Sequence, residues 1–262
     1  MRIIVILGRV LDPSGIVVKG SAGRIFVNRE EYLIQPADAC ALEAALRIKD
    51  GMAAEVVALP RSPLPDDDIL RQAIARGADR AIYLTGPALK AADEAAMTGV
   101  LTAAIERLGG ADLVLIGSTT LDTGQGQLGL RLAEALGGAQ ITGAWQVSSA
   151  DGQVQAVLQR NGRYVAVEAD PPVVVTLLPG ALKLRYPDGV RLINVYRGVG
   201  EVGDALEAWD AADLVDEAAL TPLVESRGKE FAPERERGVR ASGTPAEMAQ
   251  AAADALRQRM RR

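Results

Sequence analysis

The sequence predicts an α/β fold: a parallel sheet wrapped by helices, with an antiparallel β-meander and an extended C-terminal arm ending in a helix. Three observations carry this. Short apolar runs alternate with segments of helical period across the first half of the 262 residues, joined by short connections. Two turn dipeptides, Asp151-Gly152 and Asn161-Gly162, then separate three strand-like runs. Apolar residues make up 48% of the chain and aromatics only 3%, so the core must be Ala, Val, Leu and Ile, as in sheets covered on both faces.

Arg2–Leu7 reads as the first strand. Gly8–Asn28 is irregular, with Val17–Val18 and Arg24–Val27 as a small hairpin around Ser21-Ala22-Gly23. Pro36 opens a helix to about Lys49 that buries Leu42, Ala45 and Leu46, and Asp50-Gly51 stops it. Glu55–Leu59 is the second strand. Asp66, Asp67 and Asp68 begin a helix, Ile69–Arg76, that ends at Gly77; three acids there complement the helix dipole better than they suit a metal. Ala81–Leu84 is the third strand, and Asp93–Leu108 a helix with Ala96, Val100, Ala104 and Leu108 on one side. Asp112–Ile116 is the fourth strand, and Gln127–Leu136 its helix.

Beyond Gly138 the period changes. Ile141–Ser149, Gln153–Arg160 and Arg163–Ala169 form the meander, and Pro172–Leu178 returns to the sheet as a buried parallel strand. Pro179–Gly203 reads as an extended surface segment, and Asp204–Glu234 has no long periodic stretch. Gly228–Gly238 is charged and reads as exposed or flexible. Thr244-Pro245-Ala246-Glu247 is a capping box that starts a helix to about Met260. Its stripe is Met248, Ala252, Ala255 and Leu256, and Arg257, Arg259, Arg261 and Arg262 suit its C-terminus. This helix must bury its stripe on its own core or on a partner chain. The division expected is a core over 1–200, with the meander at 139–170, and an arm over 201–262.

The chain has no histidine and one cysteine. That removes Ser-His-Asp and Cys-His nucleophilic sites and makes a zinc, iron–sulfur or haem site unexpected. No catalytic or metal site is expected, and the chain reads as a binder. A net charge of −5 argues against a nucleic-acid or membrane-surface role. The apolar run Ile3–Leu7 is too short for a signal peptide, no run has the length of a membrane span, and a lone Cys40 makes a reducing cytoplasm the expected location.

The most informative stretch is Asp112 to Leu136. A buried strand stops at Gly117, a polar loop follows over Ser118–Gly126, and a helix begins with Leu128, Leu132, Ala135 and Leu136 on one face. A strand that feeds a helix N-terminus through small residues is an anion site, because free N–H groups and the helix dipole converge there. Gly124, Gly126 and Gly129 form a G-x-G-x-x-G, but six residues separate Gly117 from Gly124. A dinucleotide fingerprint has its first glycine directly after the strand. What survives is a loop that could seat a phosphate or an adenine. Other residues have blander readings. Cys40, Trp145 and Trp209 suit packing, Asp12 a local cap or salt bridge, and Arg61 either a phosphate contact or a solvated loop position.

With these elements placed, the chain resembles the beta subunit of electron-transfer flavoproteins over essentially its whole length. The residues that carry the resemblance are Arg9-Val10-Leu11-Asp12, Gln35-Pro36-Ala37-Asp38 with the LEAALRIK that follows, and IARGADRA at Ile74–Ala81. GSTTLDTGQGQLG, the meander, the strand at Pro172–Thr176 and Leu184-Arg185-Tyr186 complete the set. The capped C-terminal helix is similar to long-form beta subunits such as the one serving trimethylamine dehydrogenase. The resemblance implies an adenine-nucleotide-binding, Rossmann-like core. It implies an electron carrier subunit rather than an enzyme. The implied partner is an alpha subunit that carries most of the FAD site, with the C-terminal arm clasping that subunit. Electrons would come from a flavin dehydrogenase or another redox partner. The beta site is implied to hold AMP, or a second FAD in bifurcating members.

Carried over, the nucleotide meets Ile6, then Gln35, Pro36, Ala37 and Asp38, then Arg61, and then the run Gly117, Ser118, Thr119, Thr120, Leu121, Asp122, Thr123, Gly124, Gln125, Gly126, Gln127 and Leu128. All lie at or just after the C-terminal ends of parallel strands, where α/β sheets bind ligands. The family's usual Asn is here Gln35, its aromatic is Ala37, and its acidic triplet is reduced to Asp122. Its dehydrogenase-docking loop reads Pro187–Arg197, with Gly189 or Val190 at the leucine position and Asn194, Tyr196 and Arg197 for the lysines, so a different redox partner is expected. The competing readings are a stand-alone adenine-nucleotide enzyme and a nucleotide-sensing protein of related fold. Gly8–Asp12 lacks the Ser/Gly-rich phosphate loop the first would need, and the meander and arm do not suit the second.

Overall fold

The fold is described from a computed structural model, which describes residues 1–19, 24–63, 67–224, 228, 238 and 240–260. The N-terminal strand β1 (Arg2–Leu7) is followed by β2 (Arg9–Leu11), the hairpin β3 (Ile16–Lys19) and β4 (Arg24–Val27), and β5 (Tyr32–Ile34). Helix α1 (Pro36–Gly51), β6 (Glu55–Pro60), α2 (Asp68–Arg76), β7 (Arg80–Thr85), α3 (Glu94–Arg107), β8 (Leu113–Gly117) and α4 (Leu128–Ala135) alternate as expected. The meander is β9 (Ala139–Ala150), β10 (Gln153–Arg160) and β11 (Arg163–Ala169), and β12 (Val173–Leu177) returns from it. Helices α5 (Gly189–Arg197) and α6 (Gly200–Asp204), strand β13 (Leu206–Asp210) and helix α7 (Pro245–Met260) complete the chain.

Among the described residues one sheet of nine strands organises the molecule, in the order β11-β10-β9-β12-β8-β1-β6-β7-β13. Strand β1 lies at the middle of its run of seven parallel strands, between β6 and β8. Its alternating side chains divide the core. Ile3, Val5 and Leu7 face α1 and α2, while Ile4 and Ile6 face α3 and α4. A strand buried on both faces is why Ile3–Leu7 reads as a continuous apolar run.

The hairpin turns behave as their dipeptides require. Asp151 and Gly152 take φ of 53° and 81°, and Asn161 and Gly162 take 50° and 75°, the positive values of type I′ turns. Cys40 is packed at 1% exposure, and its thiol donates to the carbonyls of Pro36 and Leu182. Trp209 packs against the α3–α4 side of the core, with the Arg107 guanidinium 4.4 Å from its ring centre. Asp12 is a local cap whose carboxylate accepts from Ser14 N–H.

Three expectations need correction. Gly8–Asn28 is more ordered than it reads, because β2 pairs antiparallel with the unforeseen β5. Two helices interrupt Pro179–Gly203. Asp188 caps α5 by accepting from Arg191 N–H, Gly198 ends it in the left-handed region at φ 63°, and Val195 is fully buried. The stretch after Asp204 contributes β13, which pairs parallel with β7 at the sheet edge, so residues counted with the arm extend the core sheet. Asp67 and Asp68 lie at the start of α2, and Asp67 pairs with Arg71 one turn on rather than capping. Asp66, the Ser21-Ala22-Gly23 turn, Arg261, Arg262 and most of Gly228–Gly238 lie outside the described residues. The capping box of α7 forms, with Glu247 accepting from Thr244 N–H, and none of the helix is buried.

Candidate functional site

The C-terminal ends of β1, β6 and β8 converge on a buried ion pair. Asp38, in the first turn of α1, is completely buried. Its carboxylate accepts from Gly8 N–H at 2.8 Å, Gly117 N–H at 2.7 Å, and Arg61 Nε and Nη2 at 3.0 and 2.7 Å. Arg61 also donates through Nη2 to the Gly117 carbonyl at 2.6 Å and through its backbone N–H to Leu7. One carboxylate and one guanidinium thus tie the exits of three strands to a helix start. Gly117 has to be glycine, since a Cβ there would sit 2.5 Å from Asp38 Oδ1 and 2.6 Å from Ala37 Cβ. Arg61 is therefore neither a solvated loop arginine nor wholly available to a phosphate.

Above this pair lies a crevice of about 530 Å³, a size suited to a small ligand. Of the residues singled out from sequence, Gln35, Arg61, Thr120, Asp122, Thr123 and Gln125 line it. Ile6 and Leu128 are core residues with no exposed surface, and Ala37 and Asp38 are buried beneath. Pro36 begins α1, and Gly117 ends β8. Ser118 and Thr119 are half-buried at the strand exit, while Leu121, Gly124 and Gln127 are exposed. The loop is held by its own groups. The Thr120 hydroxyl meets that of Thr123 at 2.7 Å and accepts from Gln125 N–H, and Asp122 accepts from Thr123 N–H. Gly126 packs on the Ser118 carbonyl, where a Cβ would approach to 2.4 Å. Gly129 lets α4 lie close on Ile116 and Thr176, the packing role of a third glycine.

Sequence reasoning missed the far wall of the crevice. Lys90, Asp93, Glu94, Pro222 and Val224 line it together with Gly8, Arg9 and Ser62. Asp93 caps α3 through Oδ1, accepting from Ala95 and Ala96 N–H, and through Oδ2 it accepts from Leu223 and Val224 N–H. The hydrogen bond to Ala96 N–H is the strongest influence holding the Asp93 carboxyl below its ordinary range, ahead of an opposing effect of burial. A segment 130 residues downstream is thereby pinned over the site, which no local pattern reveals. Glu94 Oε2 accepts from Gln127 N–H at 3.2 Å. The start of α4, read from sequence as an anion site, already receives a carboxylate of this chain.

Three polar atoms on the crevice walls are buried without a hydrogen-bond partner among the described residues. They are Gln35 Oε1, Arg61 Nη1 and Glu94 Oε1. Gln35 and Arg61 are 2% and 5% exposed. Buried polar atoms are ordinarily paired, so a cation's donor and two acceptors left open around one cavity fit a ligand with both donors and acceptors. A larger, more open hollow of about 880 Å³ lies at the opposite ends of the strands. Charged groups on its walls are already paired, Arg2 with Glu55, and Asp79 with Lys49.

Residues 24–198 match the electron transfer flavoprotein domain. The chain belongs to that family. The electron transfer flavoprotein subunit beta of Clostridium acetobutylicum is 31% identical over 222 residues, covering 84% of this chain and 83% of its own. The acryloyl-CoA reductase electron transfer subunit gamma of Anaerotignum propionicum is 32% identical over 190 residues, 71% of each chain. The protein FixA of Azorhizobium caulinodans is 31% identical over 227 residues, 81% of this chain and 76% of its own. The resemblance read from GADRA, GSTTLDTGQGQLG and the meander is thus correct. As an electron transfer flavoprotein family member the chain is an electron-transfer subunit of the beta type. No helix among the described residues is long and apolar enough to cross a membrane.

Proposed function

We propose that this chain is the beta subunit of a heterodimeric electron-transfer flavoprotein whose crevice holds an adenine nucleotide, AMP or a second FAD in its place. The observation that carries the nucleotide reading is the set of open polar atoms, Gln35 Oε1, Arg61 Nη1 and Glu94 Oε1, around one cavity at the strand ends. An adenine nucleotide offers an amine and ribose hydroxyls to the acceptors and ring nitrogens or phosphate oxygens to the donor. Arg9 and Lys90 add positive charge to the same walls.

FAD shared with an alpha subunit supplies the redox chemistry; this chain binds, orients and excludes water. Helix α7 buries none of its residues on its own core, and Met248, Leu256 and Met260 stand 39%, 63% and 86% exposed. That supports an arm that docks on the alpha subunit. Relatives named as subunits of CoA-ester reductase complexes support a dehydrogenase or reductase as redox partner. Helix α5, with Val190, Ile193 and Tyr196 exposed, is the surface proposed to meet it. The test is to purify the chain with its co-expressed alpha subunit, denature the complex and count nucleotides. One FAD and one AMP per heterodimer, or two FAD and no AMP, sustains the reading. A complex with no nucleotide beyond the alpha-bound FAD overturns the crevice assignment.

A further inference from the structure

The open acceptors of the crevice differ in chemistry. Gln35 Oε1 belongs to a neutral amide, whereas Glu94 Oε1 belongs to a carboxylate whose other oxygen is committed. Glu94 Oε2 accepts from Gln127 N–H, the residue preceding α4. Glu94 sits in the first turn of α3, directly after the capping residue Asp93. One oxygen of its carboxylate holds the loop 118–127 against α3, and the other is buried with no partner among the described residues, on a side chain that lines the cavity.

We propose that Glu94 is a specificity-determining residue of the crevice, accepting through Oε1 a hydrogen bond from a neutral donor of the bound nucleotide, a ribose hydroxyl or the exocyclic amine. This rests on the reading of the crevice as an adenine-nucleotide site. A phosphate set against Oε1 would face a carboxylate at short range and be repelled, whereas a neutral O–H or N–H completes it. Specificity of this kind is steep, because a ligand lacking the donor leaves a buried acceptor unpaired. The same carboxylate orders the loop that forms the opposite wall, so the atom that reads the ligand is positioned by the loop it holds.

The substitution Glu94→Gln separates the two roles. Its side-chain carbonyl can keep the bond from Gln127 N–H, which turns the amide NH₂ toward the cavity and replaces an acceptor by a donor. The experiment uses the full-length chain freed of co-purified nucleotide. Calorimetric titrations compare AMP, 2′,3′-dideoxy-AMP and purine riboside 5′-monophosphate, which lacks the amine. Wild type is expected to bind one of the two analogues about 10-fold or more weaker than AMP, a hydrogen bond to a charged group. E94Q is expected to lose most of that preference along with a similar factor in AMP affinity. Should E94Q fail to fold, E94A carries the same comparison. A Glu94 that merely supports the loop would weaken all three ligands by one common factor and leave their ratios unchanged, which overturns the inference while the site stands. Wild type that binds no adenine nucleotide overturns the reading of the crevice, and the inference with it.

Discussion

Replacing Asp38 by asparagine is expected to destabilise the chain by about 3–5 kcal/mol, the range found when one partner of a buried ion pair is removed. The structure shows why the value should fall there. Asp38 is fully buried and accepts four hydrogen bonds, two from backbone N–H groups and two from Arg61. An asparagine retains one acceptor oxygen. With that oxygen on Gly117 N–H and Arg61 Nη2, its NH₂ faces Gly8 N–H and Arg61 Nε, so two bonds of 2.8 and 3.0 Å become donor–donor contacts. Arg61, 5% exposed, also loses its countercharge. The assay is urea unfolding of the full chain. With a slope near 3 kcal/mol/M, the midpoint should fall by roughly 1–1.7 M without a change of slope. Arg61→Met should cost less, because Asp38 keeps both backbone donors. A loss below about 1 kcal/mol for Asp38→Asn would refute the reasoning: water would then reach the strand ends, and the pair would not organise the site.

Gly117→Ala should lower the melting temperature and weaken nucleotide binding together, since its Cβ would collide with Asp38 and Ala37; overpacking of this kind costs about 1–3 kcal/mol. A chain ending at Arg240 should keep the unfolding midpoint of the full chain, because α7 buries none of its residues, and lose affinity for the alpha subunit; a lower midpoint would mean that the helix packs on the core. Burial pushes the Glu43 carboxyl up, but hydrogen bonds from Arg185 and Arg47 outweigh it, leaving its pKa below the ordinary 4.5. A carboxyl depressed in the folded state contributes stability above about pH 4.5 that is lost as pH falls through its lower folded value. The stability difference between wild type and Arg185→Met should accordingly shrink below pH 4.5; a difference independent of pH would show that Arg185 acts by packing alone.

Local patterns alone determined most of the architecture. The short apolar runs of β1, β6 and β8, bounded by turn residues, declare strands buried on both faces, and the β-branched run Val173–Val175 does the same for β12. Asp151-Gly152 and Asn161-Gly162 place the meander because few other pairs accept positive φ twice in succession. Thr244 and Glu247 start α7 because their groups satisfy each other within one turn. Each of these signals lies within a few residues of its effect. What only the tertiary structure decided is non-local. Strand β13 has no strong pattern of its own and exists because β7 offers an open edge. Helix α5 has only a short apolar face, completed by Arg191 donating to the carbonyls of Ile74 and Ala78. Arg61 is undecidable from its neighbours until α1 brings Asp38 beside it. Glu94 looks like any acid at a helix start until the loop before α4 and the segment at Pro222–Val224 close the crevice around it. A hydrogen bond between residues dozens of positions apart leaves no periodicity, so the sequence could point to the strand ends but not to every wall built over them.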